Sequence, residues 1–150
     1  DPYAMLGMQK AVDRIQRAIA LQETVLIYGD YDVDGTISVV LLKTAIEMLG
    51  GTCRFYVPHR LRDGYGMQAA QFSLSTFDGV HLVISVDNGV RAFAAAEEAQ
   101  RLGLDLIITD HHLPDSILGI PSAIAVLNPK QADCSYPCKH LCGAGVAFKL

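Results

Sequence analysis

The chain has 150 residues, about one domain by the usual prior of roughly 100–200 residues per domain. Its composition is 51% hydrophobic and 19% charged, which excludes intrinsic disorder. No apolar run approaches the ~18 residues of a membrane span, and the N-terminal residues lack the basic-then-apolar order of a signal peptide. The formal net charge of −4, taken alone, argues against a nucleic-acid partner.

Helical and strand patterns alternate along the chain. Apolar side chains spaced three to four residues apart predict helices, and short β-branched runs are typical of buried parallel strands. The predicted helices cover residues 8–21, 36–50, 67–77, 91–103 and 143–150, and the predicted strands cover 24–29, 52–57, 81–86, 104–109 and 123–127. This alternation predicts an α/β fold with a parallel sheet of five strands.

Polar motifs follow four of these strands directly. They are DYDVDG at 30–35, DNG at 87–89, DHH at 110–112 and NP at 128–129. Ligands of such sheets bind beyond the carboxyl ends of the strands, near a topological switch point. Five aspartates lie in these motifs, and without them 11 acidic residues face 12 basic residues. A local acidic cluster on a nearly neutral body predicts a cation site.

The types of side chain in the motifs indicate which cation. Asp30 and Asp32 alternate, so an extended backbone would point both carboxylates to one side. Carboxylates packed this closely repel each other unless they bind a cation or share protons. With Asp87 and the imidazole of His111, the set suits Mn²⁺, with Mg²⁺ possible and Zn²⁺ less favoured. Such a set can hold two ions roughly 3.5–4 Å apart, as in phosphoester hydrolysis.

Each motif also has a simpler interpretation. DYDVDG matches the start of an EF-hand calcium loop, but its twelfth position is Leu41 instead of Glu, and a buried strand precedes it. DNG alone is usually a tight turn, and DHH alone could be a helix cap with two structural histidines. These separate interpretations poorly explain why each of the three motifs directly follows a different parallel strand. A dinucleotide-binding Rossmann module would need G-x-G-x-x-G after the first strand, which is absent.

Three of the four cysteines, Cys134, Cys138 and Cys142, lie close together around His140. Structural zinc sites usually add a second, distant pair of ligands, so free thiols in a reducing cytoplasm are favoured over zinc. Cys53 is predicted to be a core residue.

Taken in order, YGDYDVDG, VPHRLRDGYG, SVDNG, TDHH and LNPKQADCSYP followed by GAGVAFKL resemble the successive motifs of the DHH phosphoesterase superfamily. The resemblance runs from about the first residue to the last and is strongest to single-strand-specific 5′→3′ DNA exonucleases. It implies a doubly wound, mainly parallel five-stranded sheet flanked by helices. It also implies two Mn²⁺ or Mg²⁺ ions, whose ligands here would be Asp30, Asp32, Asp87 and His111.

The same resemblance assigns further roles. Asp87 would bridge the two ions, His112 would contact the scissile phosphate, and Asp110 and Asp34 would orient ligands and loop. The predicted contacts to DNA or its phosphates are Arg60, Arg62, Tyr65 and Asn88. Arg60 would meet the phosphate near the 5′ end, because a guanidinium binds phosphate through two donors. Tyr65 could stack on a base, although packing within its loop is the simpler expectation.

The implied activity is hydrolysis of single-stranded DNA in DNA repair and recombination, in the cytoplasm and with other repair proteins as candidate partners. Two alternatives stay open. One is a phosphoesterase for short oligonucleotides, cyclic dinucleotides or pyrophosphate; the other is a non-catalytic DHH-like replication subunit. Intact motifs count against the second alternative.

Residues 1–150 are expected to be a DHH domain truncated at its C-terminus. The chain begins without methionine and ends inside a helical pattern. The family's fourth aspartate ligand, its second (DHHA1-like) domain and its oligonucleotide-binding domain would lie beyond Leu150. The isolated 150 residues are therefore expected to be inactive or weakly active.

Overall fold

The computed structural model describes residues 1–64 and 66–150, without the side chains of residues 62 and 63. The strands are β1 (Thr24–Tyr28), β2 (Thr52–Tyr56), β3 (Val80–Val86), β4 (Asp105–Thr109) and β5 (Ala125–Leu127). The helices are α1 (Met8–Ala20), α2 (Val33–Met48), α3 (Arg60–Asp63), α4 (Phe93–Arg101) and α5 (Gly143–Lys149). Short 3₁₀ helices cover Pro2–Ala4, Ala69–Ser73 and Ser75–Phe77.

The five strands form one sheet in the order β2-β1-β3-β4-β5. All four neighbouring pairs are parallel, so every strand ends at the same edge. The chain goes from β1 outward to β2, then returns to the other side of β1 for β3, β4 and β5. This reversal makes the β1/β3 boundary the topological switch point, where a crevice opens beyond the strand ends. The predicted doubly wound parallel sheet is confirmed.

Alternate side chains of the strands fill two separate cores. Val25 and Ile27 point into a core shared with α1, α2 and α5, whereas Leu26 and Tyr28 point into a core shared with α4 and the 3₁₀ segments. All four side chains are fully buried. A sheet covered on both faces explains why its strands read as continuous apolar runs. The rigid sheet therefore fixes the positions of the loops beyond its edge.

Three local predictions were wrong. Helix α2 begins at Val33, inside the predicted loop, because the Asp32 carboxylate accepts a hydrogen bond from the Gly35 N–H (2.9 Å) and caps the helix. Residues 67–77 form two 3₁₀ helices instead of one α-helix. Serine and threonine weaken α-helix there, and the buried Gln71 side chain bonds the Tyr28 hydroxyl. A short helical turn, α3, occupies part of the predicted loop at 58–66.

All four cysteines are free thiols, as predicted. Cys134 is buried, where its sulfur accepts a hydrogen bond from the Leu6 N–H (3.5 Å), and Cys53 packs against the core. No cysteine joins a candidate metal cluster within the described residues. Among the helices of the described chain, none has the length and apolarity that crossing a bilayer requires.

Candidate metal centre

Side chains from three strand ends meet at the switch point. Asp30 follows β1, Asp87 follows β3, and the DHH segment follows β4. Two groups of candidate ligands form there, each with its ligand atoms within 4.8 Å of one another: Asp30, Asp32 and Asp87 in one, and Asp87, His111 and His112 in the other. The four predicted ligands therefore come together, with Asp87 common to both groups.

Asp87 is the centre of the arrangement. Its side chain is almost fully buried, yet its Oδ1 has no hydrogen-bond partner among the described residues. The nearest nitrogen is Nε2 of His111, 3.3 Å from Oδ1. The Asp87 backbone has a φ of 60°, which non-glycine residues rarely adopt. Backbone strain and an unpaired buried carboxylate are typical of a site that is completed by a ligand.

The turn after Asp87 depends on close packing. Gly89 has a φ of 108°, and a methyl group there would meet the Ser85 hydroxyl oxygen at 2.7 Å. That hydroxyl donates to the Asn88 carbonyl (2.9 Å), and the Thr109 hydroxyl donates to the Ser85 carbonyl (3.0 Å). These contacts tie the DNG turn to β3 and β4 and so fix where the Asp87 carboxylate points.

Gly143, the first residue of α5, packs directly against Asp87. A methyl group at this glycine would overlap the Asp87 carboxylate itself, with Oδ1 as the nearest atom. This close approach of α5 to the carboxylate therefore requires glycine at position 143.

The two aspartates of the D-x-D motif differ in exposure. Asp30 is buried, and its Oδ1 accepts a hydrogen bond from the Tyr31 N–H (2.6 Å). Asp32 is exposed and has an extended backbone, so it reaches the cluster while it caps α2. Gly35 packs so closely on the Asp30 backbone that a methyl group there would clash with it. The motif needs glycine at that position for this reason.

Asp110 holds the DHH segment in place. Its Oδ1 accepts hydrogen bonds from the N–H groups of His111 (2.7 Å) and His112 (3.0 Å) and lies 2.7 Å from His112 Nδ1. Its Oδ2 accepts from the Val90 N–H (2.9 Å), which connects the DHH segment to the DNG turn. Asp110 therefore contacts both histidines of the DHH segment, and it belongs to neither group of candidate ligands among the described residues.

The electrostatics suit a cation. Burial, and then the charge of Asp32, raise the pKa of Asp87 to about 8. Burial, and then the charge of His112, lower the pKa of His111, so its imidazole is neutral at pH 7 and can donate a lone pair. The bond to Asp110 raises the pKa of His112. Burial opposes ionisation of Asp110, but bonds from His112 and Val90 outweigh it and lower its pKa.

This donor set fits a hard divalent cation. Three carboxylates and a neutral imidazole match the ligands that Mn²⁺ prefers, and Mg²⁺ suits the carboxylates. A cation would also satisfy the unpartnered Asp87 oxygen and cancel the repulsion between Asp32 and Asp87. Asp87 is the one residue that belongs to both groups of candidate ligands among the described residues.

The predicted DNA contacts have mixed placements. The exposed Arg60 guanidinium lies 5.5 Å from the ring centroid of Tyr31. In the sequence, Tyr31 stands between the two aspartates of the D-x-D motif. Asn88 is buried and donates to the Val86 carbonyl (2.9 Å), which leaves its Oδ1 without a partner in the described chain. Tyr65 and the Arg62 side chain lie outside the described residues. Asp34 is half-buried in the first turn of α2 and joins neither group of candidate ligands.

Three supporting residues received no role in the sequence analysis. Asn128, fully buried, donates to the His112 carbonyl (2.8 Å) and fixes the DHH segment from β5. Its position directly after a strand was a usable signal. Gly143 and Lys130 lie in motifs that the resemblance includes, but only the packing of distant segments shows that they reach the site.

Comparisons with known proteins identify the family and the fold. The model of the DHH family, N-terminal domain, matches residues 24–150. The single-stranded-DNA-specific exonuclease RecJ of Bacillus subtilis (strain 168) is 46% identical over 150 residues, which are 100% of this chain and 19% of that protein.

Two solved structures resemble the fold. The crystal structure of exonuclease RecJ bound to manganese has a TM-score of 0.87 at 29% identity, covering 97% of this chain and 36% of its own. RecJ from Thermus thermophilus in complex with Mn²⁺ has a TM-score of 0.79 at 25% identity, covering 97% of this chain and 20% of its own. The chain thus spans well under half the length of each of these proteins.

Proposed function

This chain belongs to the DHH family, and we propose that it is the catalytic N-terminal part of a single-strand-specific 5′→3′ DNA exonuclease that uses two divalent cations. The observation that carries the proposal is the buried Asp87 carboxylate, whose Oδ1 accepts no hydrogen bond within the described chain and which two groups of candidate ligands share. The likeness to RecJ proteins over the whole chain supports the substrate.

The proposed ligands of Mn²⁺ or Mg²⁺ are Asp30, Asp32, Asp87 and His111. When bound, such ions lower the pKa of water and stabilise the charge on the oxygens of a phosphodiester. Gly35 lets α2 pack on the Asp30 backbone, and Gly143 lets α5 pack on the Asp87 carboxylate without a clash.

Two further residues would act on the substrate. His112, held by Asp110 through Nδ1, keeps a fixed orientation and would contact the scissile phosphate. Arg60 would bind the phosphate at the 5′ end of the strand. Its guanidinium lies over the ring of Tyr31, the middle residue of the D-x-D motif, so it is next to the proposed ligands. Asp34 would support the first turn of α2, and Arg62, Tyr65 and Asn88 remain predicted DNA contacts.

The cellular setting follows from the activity. The substrate would be single-stranded DNA, the process DNA repair and recombination, and the compartment the cytoplasm, with other repair proteins as partners. The names of the RecJ relatives support the substrate.

The test uses the full-length protein with Mn²⁺ and measures release of nucleotides from 5′-phosphorylated single strands and from the matching duplex. We expect cleavage of the single strand only. Asp87→Asn should lower the rate by about 1,000-fold or more, since it removes a ligand shared by both ions. The exposed Asp133→Asn variant is the matched control and should behave as the wild type.

The same assay separates the alternatives. Preferential hydrolysis of a short oligonucleotide, a cyclic dinucleotide or pyrophosphate would replace the proposed function with another phosphoesterase activity. Full activity of Asp87→Asn would contradict the placement of the metal centre.

A further inference from the structure

The loop that leads from β5 to α5 carries three of the four cysteines, and the proposed function uses none of them. Cys134 is buried, and its sulfur already accepts a hydrogen bond from the Leu6 N–H. Cys138 and Cys142 are exposed, and both are free thiols. These two thiols are therefore open to small reactive solutes, whereas Cys134 is shielded from them.

The chain reverses its direction between the two exposed cysteines. Lys139 and His140 form a turn, so Cys138 lies directly before the turn and Cys142 lies shortly after it. A β-turn brings its first and fourth residues within about 7 Å, and a disulfide joins Cα atoms about 4.4–6.8 Å apart. A bridge between Cys138 and Cys142 therefore needs only a local change of the backbone.

Both sides of this turn are held by hydrogen bonds. The Lys139 ammonium donates to the carbonyls of Pro129 (2.8 Å) and Cys134. On the other side, the Cys142 carbonyl accepts the Val146 N–H (3.0 Å), the bond that opens α5. Because the turn is already formed, little chain entropy is lost when its two thiols are joined.

Cys142 is also connected to the metal centre through the next residue. Gly143 packs against the Asp87 carboxylate so closely that a methyl group would overlap it. The backbone of Cys142 is extended, with a φ of −76° and a ψ of 170°, and it leads directly into α5. A bridge that draws Cys142 towards Cys138 has to rotate this backbone and so displaces Gly143. The displacement would reach Asp87, which both groups of candidate ligands share.

We propose that Cys138 and Cys142 are a site of reversible oxidation, at which hydrogen peroxide forms a disulfide that displaces Gly143 and weakens cation binding at Asp87. The oxidation is independent of the proposed function, and its effect on the cation rests on that function. The proposed site is a modification site outside the ligand set, and it would make cation binding depend on the redox state of two thiols.

The reaction balances with one molecule of peroxide. The thiolate sulfur of one cysteine attacks the O–O bond and becomes a sulfenic acid, and the oxygen that leaves takes up a proton to give water. The second thiolate attacks that sulfur, forms the S–S bond and expels hydroxide, which becomes the second water. The two thiols lose two electrons and two protons in total, and a dithiol reductant returns them.

The first test maps the bridge in the full-length protein after treatment with hydrogen peroxide in EDTA. Trypsin cleaves after Lys139, between the two cysteines, so the flanking peptides separate unless a disulfide joins them. We expect mass spectrometry to find the peptides joined, with the bond at Cys138 and not at Cys134. A dithiol should separate them, and Cys138→Ser should give no joined pair.

The second test measures the Mn²⁺ affinity of the full-length protein by titration calorimetry in three states: reduced, oxidised, and oxidised then reduced. EDTA, peroxide and reductant are removed before each titration. Oxidation should weaken Mn²⁺ binding by about 10-fold, the loss typical when a contact that supports a metal ligand is disturbed. Reduction should restore the affinity.

Cys138→Ser and Cys142→Ser should each bind Mn²⁺ equally well before and after peroxide. Cys53→Ala is the matched control and should stay as sensitive to peroxide as the wild type. Burial raises the pKa of the Cys53 thiol to about 11, so this thiol stays protonated and unreactive. Thermal unfolding of every variant checks folding.

Separate peptides after peroxide treatment, or a bond at Cys134, would overturn the inference. Unchanged Mn²⁺ affinity of the bridged protein would overturn it too, as would a loss of affinity that persists in Cys138→Ser. Failure of the proposed function is distinguishable, because it would appear as absent hydrolysis of single-stranded DNA by the reduced wild type. The peptide map reports on the cysteines in either case.

Discussion

The two halves of the site differ in how they are held. In the β3/β4 half, residues 87–90 and 110–112, Asp110 bonds three backbone N–H groups and one imidazole, and Asn128 and Gly143 pack from other elements. The β1/β2 half consists of residues 30–32 and 58–61. Among its acidic and basic side chains, Asp30 alone is buried, and Arg60 is exposed. The β3/β4 half, which would supply the ligands Asp87 and His111, is preorganised. The β1/β2 half would supply Asp30 and Asp32, and beside them the long side chain of Arg60 would meet the strand end.

This difference indicates that the two halves of the site have different functions. Ion binding and transition-state stabilisation need ligands fixed before the substrate arrives, because reorganisation would cost rate. Contact with the end of a DNA strand does not need this rigidity, because a long arginine side chain can become ordered when the strand binds. Substitutions in the β3/β4 half should therefore affect the chemical step, and substitution of Arg60 in the β1/β2 half should affect substrate binding.

After loss of the Asp87 ligand itself, the largest expected effect on the chemical step comes from Gly143→Ala. The added methyl group would overlap the Asp87 carboxylate, and misplacing a catalytic group by about 1 Å can cost 100-fold in rate. We expect kcat on single-stranded DNA to fall by about that factor and Mn²⁺ affinity to fall with it.

Gly145→Ala, on the same helix, is the matched control for this substitution. Its methyl group would lie 3.3 Å from the flexible end of the Leu141 side chain, which can move. Wild-type kcat in Gly143→Ala, or equal losses in both variants, would show that the β3/β4 half is less rigid than its contacts indicate.

Arg60→Ala should act on binding alone. A charge-assisted arginine–phosphate contact contributes about 1.5–3 kcal/mol, so KM for 5′-phosphorylated single strands should rise roughly 10- to 150-fold. The rise should be smaller for 5′-hydroxyl strands, and Arg60→Lys should recover part of it because an ammonium lacks the planar fork.

KM and kcat for both substrates, at one salt concentration, decide this prediction. Arg54→Ala is the control, since Arg54 is exposed on β2 and bonds the Asp78 carbonyl. A fall in kcat with KM unchanged would show that Arg60 acts on the chemical step and not on substrate binding.

The smallest expected effect is on the stability of the metal-free protein. Burial, and then the charge of Asp32, raise the pKa of Asp87 from 3.8 to about 8 on folding. The stability gained from this bound proton is complete below pH 3.8 and is lost as the pH rises through 8. The thermal midpoint in EDTA should therefore fall between about pH 6 and pH 9.

Asp87→Asn should remove most of that fall, because an amide does not ionise. Asp133→Asn should retain it, as an exposed carboxylate on a loop. Mn²⁺ should raise the midpoint of the wild type more at the higher pH, since binding needs the ionised carboxylate. A midpoint that is flat with pH in the wild type would contradict the buried, unpartnered state of Asp87.

Much of the fold was predictable because hydrophobic periodicity reports burial directly. The five strands and their order of alternation with helices follow from apolar runs such as TVLIY and HLVISV. The predictions failed where side chains decide local structure, as at Asp32, whose carboxylate caps α2, and at Gln71, which turns inward to Tyr28. Neither contact leaves a periodic signal in the sequence.

For the site, the sequence by itself determined which residues share one edge of the sheet, because motifs that directly follow parallel strands must lie there. Only the tertiary structure decided that Asp30, Asp87 and His111 meet, since the strand order places β1, β3 and β4 side by side. The packing of Gly143 on Asp87 and the hydrogen bond from Asn128 to the DHH segment likewise depend on contacts between segments far apart in the chain. Steric fit between such segments has no local pattern, because it is a property of the packed chain.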